Sequence, residues 1–151
     1  MKRIIICDID GTIAEIGDRA NIINNSDRIM TAEEYDEFNR RSAEEPCIEN
    51  IANIIRNLKD SETKIYLITA REEKWARITN EWIKLNDIPC DGLYMRENED
   101  KSSDADVKMK IVKDHINVKK VWFVLEDRPD VVQMYRDDLG LTCLQVNKGD
   151  Y

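Results

Sequence analysis

The sequence has few residues of the kinds that build thiolate or imidazole sites. Its four cysteines stand far apart, with no CxxC pair: Cys7, Cys47, Cys90 and Cys143. A thiolate-bound metal is therefore not expected, and the pattern indicates buried free thiols in a reducing compartment. His115 is the only histidine. It falls at the end of a helix predicted over 106–115, where we expect a structural role.

Long apolar runs and an excess of positive charge are also missing. No stretch is long enough to cross a bilayer, and the chain opens directly into a strand with no signal sequence. The formal net charge is −8, so the surface as a whole is not that of a nucleic-acid or anionic-membrane binder. We expect a cytoplasmic protein with no membrane contact, in which a local basic cluster holds any polyanion.

What the sequence does have is the composition of one globular domain. Its 151 residues are 42% hydrophobic and 36% charged, which is typical of a folded chain. Strand and helix patterns alternate along it, and this predicts an α/β fold with a doubly wound parallel sheet. The segment 13–46 is too long for an ordinary connection, so we predict a small cap or lid there, with a solvated excursion as the alternative.

Individual elements follow from local patterns. Thr31 and Glu34 have the spacing of a capping box and predict a short helix over 32–42. A helix is also predicted over 72–85, where Trp75, Trp82 and Leu85 fall on one apolar stripe. The remaining predicted strands after the first are 64–68, 91–95, 121–125 and 141–146.

Two carboxylates end the first strand. The β-branched run Ile4–Cys7 is typical of a strand buried on both faces, and Asp8 and Asp10 follow it. Strand geometry aims both carboxylates the same way, and Gly11 lets the chain leave the strand. Acids in such a place cost free energy unless a cation or phosphate site uses them. This indicates a functional site, with a simple Asp-Gly turn as the alternative.

Further polar residues follow the other predicted strands. Thr69 and Arg71 come after the second strand, Glu126 and Asp127 after a later one, and Lys108 near the start of a helix. In open parallel sheets, ligands bind beyond the carboxyl ends of the strands. A carboxylate nucleophile, a hydroxyl, an ammonium and a further acid can together form a phosphoryl-transfer site with a hard divalent cation.

This ordered set resembles the haloacid dehalogenase (HAD) phosphatase superfamily, whose first motif DxDGT stands here at residues 8–12. Over the whole chain the sequence is more narrowly similar to the 3′-phosphatase domain of bacteriophage polynucleotide kinase. The other segments that carry this similarity are Gly17-Asp18-Arg19, Leu67-Ile68-Thr69-Ala70-Arg71-Glu72, Met95-Arg96, Asp104-Ala105-Asp106-Val107-Lys108, Glu126-Asp127-Arg128 and the ending Gln145-Val146-Asn147-Lys148-Gly149-Asp150-Tyr151.

The similarity has limits that bear on domain content and on the metal site. The GxxxxGK[ST] motif of a kinase is absent, so we expect one phosphatase domain over 1–151 with a cap insert at about 13–46 and no kinase domain. Glu126 stands where the superfamily usually has Asp, and Ala70 where a glycine is common. The insert is also longer than in the phage domain.

The resemblance implies a role for each matching residue. Asp8 would attack phosphorus and form an aspartyl-phosphate, and Asp10 would act as general acid and base. Mg²⁺ would lie between Asp8 and Asp127, with the Asp10 backbone carbonyl as a ligand and Glu126 as an open alternative. The residues assigned to substrate binding are Thr69, Lys108, Arg19, Arg71 and Arg96. Arg128 is expected to pair with neighbouring acids.

The implied activity is a Mg²⁺-dependent phosphomonoesterase that removes a 3′-phosphate from nucleic-acid ends or nucleotides, without extended duplex binding. Two alternatives stay open: a 5′(3′)-nucleoside monophosphate phosphatase, and a non-catalytic phosphate-binding module of the same fold. The acidic composition and the insert favour small nucleotides, whereas the resemblance favours a 3′ end.

Overall fold

A computed structural model describes residues 2–17 and 31–151. Its five strands are parallel and form one sheet in the order β3-β2-β1-β4-β5. The strands are β1 (Arg3–Cys7), β2 (Thr63–Glu72), β3 (Gly92–Arg96), β4 (Val121–Glu126) and β5 (Cys143–Gln145). The α-helices are α1 (Ala32–Arg40), α2 (Glu49–Leu58), α3 (Ala76–Leu85), α4 (Asp104–His115) and α5 (Pro129–Gln133), with a π-helical turn at Met134–Asp138 after α5. The doubly wound parallel α/β fold is thus confirmed.

Strand β1 lies at the centre of the sheet, between β2 and β4. Its side chains alternate between two cores. Ile5 and Cys7 join the core that contains residues of α2 and α3, and Ile4 and Ile6 join the one that contains residues of α4 and α5. Because helices cover both faces, the strand is apolar from Ile4 to Cys7, and the acidic residues begin only at its carboxyl end.

The helix after β2 begins later than predicted. Strand β2 continues to Glu72, which still pairs with Arg96 of β3, and a 3₁₀ turn precedes α3. This extended pairing takes up residues that the apolar pattern had assigned to the helix. The predicted stripe is also wrong at its end: Leu85 is 80% exposed, whereas Trp82 and Ile83 face the core.

The insert between β1 and α2 contains α1. The Thr31 hydroxyl accepts a hydrogen bond from the Glu34 backbone N–H at 3.2 Å, so the predicted cap is present. An ion pair of 2.9 Å between Lys74 Nζ and Asp36 Oδ1 links α1 to the turn after β2. Arg19 lies outside the described residues, and a lid function for the insert stays a prediction.

The four cysteines are all free thiols, as the sequence predicts. Cys7 and Cys143 are buried, but Cys47 and Cys90 are partly exposed, so the prediction of burial is wrong for these two. No helix in the described part of the chain is both long enough and apolar enough to span a bilayer.

Candidate active site

A cavity of about 510 Å³ opens where the carboxyl end of β1 meets those of its neighbours. Most of the residues that the sequence singles out as candidates line it, and Phe38 of α1 and Tyr151 contribute aromatic walls. The candidates on its lining are Asp8, Asp10, Thr69, Arg71, Arg96 and Lys108. The topology therefore brings together side chains that are up to 100 positions apart in sequence.

The Asp8 carboxylate is held from two sides. Lys108 Nζ donates to Asp8 Oδ1 at 2.7 Å, and the Thr12 hydroxyl donates to Asp8 Oδ2 at 2.8 Å. Asp8 is 6% exposed and Lys108 is 2% exposed. Ser103 caps α4 by accepting from the Asp106 backbone N–H, which places Lys108 in the second turn of that helix. Each Asp8 oxygen keeps a lone pair for an electrophile in the cavity.

Glu126 and Asp127 end β4 but have different surroundings. Lys108 Nζ donates to Glu126 Oε2 at 2.7 Å, and the backbone N–H groups of Asp127 and Arg128 donate to Glu126 Oε1 at 3.1 and 3.2 Å. Asp127 Oδ1 lies 3.3 Å from the Thr12 hydroxyl, which shares its one proton between this oxygen and the nearer Asp8 Oδ2. Asp127 Oδ2 is buried and has no hydrogen-bond partner among the described residues. The protein thus satisfies both oxygens of Glu126 but only one oxygen of Asp127.

Electrostatics at this cluster are dominated by burial and by the proximity of like charges. Burial, and next to it the charge of Asp8, raise the pKa of Asp127 and of Glu126 above the usual range. Burial disfavours the Lys108 ammonium, but the carboxylates of Asp8 and Glu126 outweigh this effect and raise the pKa of Lys108 well above its ordinary value. Three carboxyl groups thus share one ammonium, and all three ionise together only if a further positive charge is supplied.

The acidic cluster fits a hard divalent cation. One oxygen each from Asp8, Glu126 and Asp127 lies within 4.8 Å of the others, and buried carboxylate oxygens are the ligands that Mg²⁺ prefers. Asp127 Oδ2, which accepts no hydrogen bond from the described residues, is the carboxylate oxygen most available to a cation. A cation there would also relieve the repulsion that raises the carboxyl pKa values.

Gly11 is required next to this cluster. Its φ is +80°, and a Cβ added to it would lie 2.1 Å from Asp127 Oδ2. We expect Gly11→Ala to lower the free energy of unfolding by roughly 2 kcal/mol, because it adds both backbone strain and a clash with a buried carboxylate. Urea denaturation measures the change. Gly140→Ala is the control, since Gly140 has a φ of +65° but nothing within 4 Å of an added Cβ. An equal loss in both variants would contradict a clash at Gly11.

Asp10 forms a two-point ion pair. Arg71 Nε and Nη2 donate to its two carboxylate oxygens at 2.9 and 2.7 Å. Arg71 Nη1 donates to the Thr79 hydroxyl at 3.1 Å, and Arg71 is 4% exposed. The sequence assigns Arg71 to the substrate. In the structure it holds Asp10, and two of its five N–H groups have no partner among the described residues.

The two other substrate candidates have contrasting environments. Thr69 is 1% exposed, and its hydroxyl accepts from the Arg71 backbone N–H at 3.2 Å. Its own proton has no acceptor among the described residues and is available to a ligand. Arg96 makes four hydrogen bonds, to three backbone carbonyls and to Asp104 Oδ1. Arg96 therefore braces the 96–104 loop that forms one wall of the cavity.

Two residues with clear roles in this geometry received none from the sequence. Thr12 bridges Asp8 and Asp127, and the spacing of the DxDGT motif could have suggested it. The Tyr151 hydroxyl donates to the Asp10 backbone carbonyl at 3.0 Å. No sequence signal links residues 141 positions apart, so only the folded chain reveals this contact.

Comparison with known proteins identifies relatives of this arrangement. A protein of Autographa californica nuclear polyhedrosis virus, described as a bifunctional polynucleotide kinase/RNA ligase, is 28% identical over 138 residues, which are 89% of this chain and 18% of that protein. A chain in the structure of the Pnkp1/Rnl/Hen1 RNA repair complex is 28% identical with a TM-score of 0.81, and the match covers 99% of this chain and 44% of that one. This chain thus spans less than half of either relative.

More distant structures share the fold. A haloacid dehalogenase-like hydrolase from Streptococcus pneumoniae has a TM-score of 0.59 at 17% identity, over 94% of this chain and 83% of its own.

The model of the polynucleotide kinase PNKP phosphatase domain family matches residues 2–151. With the site at the ends of β1, β2 and β4 and a family match along its whole length, the chain belongs to the PNKP phosphatase domain family of HAD phosphatases.

Proposed function

We propose that this chain is a Mg²⁺-dependent phosphomonoesterase that removes a 3′-phosphate from nucleic-acid ends. The observation that carries the proposal is the Asp8 carboxylate, which is buried at the cavity between Lys108 and Thr12 with Asp10 two positions on. Family membership supports phosphatase chemistry.

Asp8 acts as the nucleophile. One of its oxygens forms a bond to phosphorus as the bond between phosphorus and the 3′-oxygen breaks, and Asp10 delivers a proton to the leaving oxygen. Asp10 then takes a proton from the water that attacks the aspartyl-phosphate. This step releases inorganic phosphate and restores the Asp8 carboxylate. Arg71 positions Asp10 through its two-point contact, in which Asp10 is a carboxylate. Asp10 therefore takes up a proton from solvent and gives up one of these contacts before it acts as general acid.

The phosphoryl oxygens need donors that remain available. Lys108 uses two of its three N–H groups on Asp8 and Glu126, and Thr69 has an unused hydroxyl proton. Both line the cavity and are the proposed phosphate ligands, with the remaining N–H groups of Arg71. Arg96 contributes indirectly by bracing the wall. Arg19, outside the described residues, stays a predicted substrate ligand.

The proposed cation ligands are Asp8, Asp127 and the backbone carbonyl of Asp10. When bound, Mg²⁺ supplies positive charge that offsets the repulsion between the carboxylates and a phosphate dianion. Glu126 is the weaker candidate because Lys108 and two backbone N–H groups already occupy its oxygens. Its role is to hold Lys108 beside Asp8.

The 3′-phosphorylated end is favoured as substrate by the family and by the relatives. One relative is described as a polynucleotide kinase/RNA ligase, and another belongs to an RNA repair complex. A second candidate is a nucleoside monophosphate, which the net charge of −8 favours because an acidic chain attracts an extended polyanion weakly. Both candidates place one phosphate in the same cavity.

A panel of phosphomonoesters separates these substrates. We expect 3′-phosphorylated oligonucleotides to have a higher kcat/KM than 3′- or 5′-mononucleotides, and all nucleotides to exceed sugar phosphates, because the cavity offers more contacts than one phosphate uses. Phosphate release at matched concentrations measures each rate, and chelation of divalent metal is expected to abolish all of them. A preference for a sugar phosphate over every nucleotide would refute the nucleotide assignment but leave the phosphatase chemistry standing.

A further inference from the structure

The described cations on the cavity wall differ in how fully their donors are used. Lys108 donates to two carboxylates, Arg71 makes three side-chain hydrogen bonds and Arg96 makes four. Arg128 lines the same cavity, but its guanidinium makes no hydrogen bond to the described part of the chain. Its five N–H donors are therefore available to a ligand.

Acids hold Arg128 only loosely. Its Nη1 lies 4.0 Å from Asp104 Oδ2, and its Nε lies 3.7 Å from Asp130 Oδ1. Both distances are longer than the donor–acceptor distance of a hydrogen bond. The expected pairing with neighbouring acids is thus present as attraction between charges, and it leaves the N–H groups unbound. The other Asp104 oxygen accepts from Arg96, so that acid is shared between two arginines.

Tyr151 gives Arg128 a defined position. The guanidinium carbon lies 5.3 Å from the centre of the Tyr151 ring, and the Tyr151 hydroxyl is fixed to the Asp10 backbone carbonyl. Gly149, with a φ of +62°, lets this segment lie against the backbone of Asp127, where an added Cβ would be 2.3 Å from the carbonyl oxygen. A guanidinium held over an aromatic face keeps the N–H groups in its own plane free.

The cavity has room for more than the phosphate that reacts. Its volume of about 510 Å³ falls in the range of roughly 300–1,000 Å³ found for sites that enclose small organic ligands. Lys101 also lines this cavity, in addition to the four cations named above. It is exposed and has no ion pair in the described chain. Its flexible side chain can bring positive charge close to a ligand but does not fix the orientation of that ligand.

We propose that Arg128, oriented by Tyr151, binds the phosphodiester on the 5′ side of the terminal nucleotide. This assignment rests on the proposed function. The guanidinium fork matches the two non-bridging oxygens of a phosphodiester. A nucleoside 3′-monophosphate has no such group, so Arg128 makes the site select a polynucleotide end over a mononucleotide. Recognition stops at this linkage, which agrees with a strongly acidic chain.

The test compares two substrates that differ in this linkage: a dinucleotide bearing a 3′-phosphate, and a nucleoside 3′-monophosphate. We expect Arg128→Gln to lower the ratio of their kcat/KM values about tenfold, as expected for the loss of a charge-assisted hydrogen bond. The effect should lie mainly in the KM of the dinucleotide. Arg77→Gln is the control, because Arg77 is exposed and its variant removes the same charge away from the cavity.

Two variants of Tyr151 test the orientation. Tyr151→Leu removes the ring and is expected to lower the ratio of kcat/KM for the dinucleotide to kcat/KM for the mononucleotide. Tyr151→Phe keeps the ring and is expected to retain most of this ratio. Arg128→Lys keeps the positive charge but loses the two-pronged guanidinium, so we expect it to retain only part of the ratio. It replaces Arg128→Gln as the test variant if Arg128→Gln does not fold.

The outcomes separate the subsite from the chemistry. The proposed subsite is wrong if Arg128→Gln leaves the ratio unchanged, including the case in which kcat/KM falls equally for both substrates. It is also wrong if Arg77→Gln lowers the ratio as much as Arg128→Gln does. Absence of phosphatase activity in the unaltered protein contradicts the proposed function instead. In that case, equilibrium binding of the same two compounds still tests whether Arg128 prefers the dinucleotide.

Discussion

Replacement of Asp8 by Asn is expected to lower the turnover of a generic aryl phosphate by roughly 10⁴-fold or more, because an amide cannot form the covalent phosphoryl bond. The amide matches the carboxylate in size. Lys108 retains Glu126 as a partner at 2.7 Å, so the fold should persist. Release of the phenolate, followed by absorbance, measures the rate.

Asp10→Asn is the matched comparison. It keeps the nucleophile but loses the proton donor and acceptor, so we expect slow leaving-group departure and slow hydrolysis of the aspartyl-phosphate. Intact-protein mass spectrometry after acid quench would detect the phosphorylated chain in this variant and not in Asp8→Asn. Near-full turnover by Asp8→Asn would rule out Asp8 as the nucleophile.

The second large effect is expected at Asp127. Asp127→Asn should raise the Mg²⁺ concentration for half-maximal activity by about tenfold or more, or abolish activity, because it replaces the charged oxygen that the protein leaves unpartnered. Asp127→Ala should behave in the same way. Calorimetric titration of Mg²⁺ measures the affinity independently of turnover.

Glu126→Gln is the paired variant. It should change the Mg²⁺ requirement less, but lower the free energy of unfolding by about 2 kcal/mol because Lys108 loses one of its two buried carboxylate partners. Urea denaturation measures the stability. Unchanged metal dependence in Asp127→Asn together with a large change in Glu126→Gln would reverse the two assignments.

Much of the fold and of the candidate site could be predicted because both depend on local pattern. A buried β-branched run predicts a strand, and alternation with helices predicts parallel pairing. The carboxyl ends of parallel strands meet at one edge of the sheet. Asp8, Thr69 and Lys108 could therefore be expected together before their distances were known, and all three line one cavity.

The remaining features depend on contacts between distant parts of the chain. That Arg71 holds Asp10, and that Arg96 braces a loop, follows from which donors meet which acceptors after folding. The difference between Glu126 and Asp127 is a difference in satisfied oxygens, which a pair of adjacent acids cannot indicate. The start of α3 was misplaced because pairing between strands β2 and β3 overrode an apolar helical pattern.

Because β1 lies at the centre of the sheet, it is synthesised long before one of its two neighbouring strands. Ile4 pairs with Lys64 on one side and with Val121 on the other. At synthesis rates of about 5–20 residues per second, the second partner follows β1 by roughly 6–23 s. During that interval one edge of an isoleucine-rich strand has no neighbour and can pair with another nascent chain. Strand β1, which ends one residue before the nucleophile Asp8, is thus the strand of this sheet that waits longest for its second neighbour.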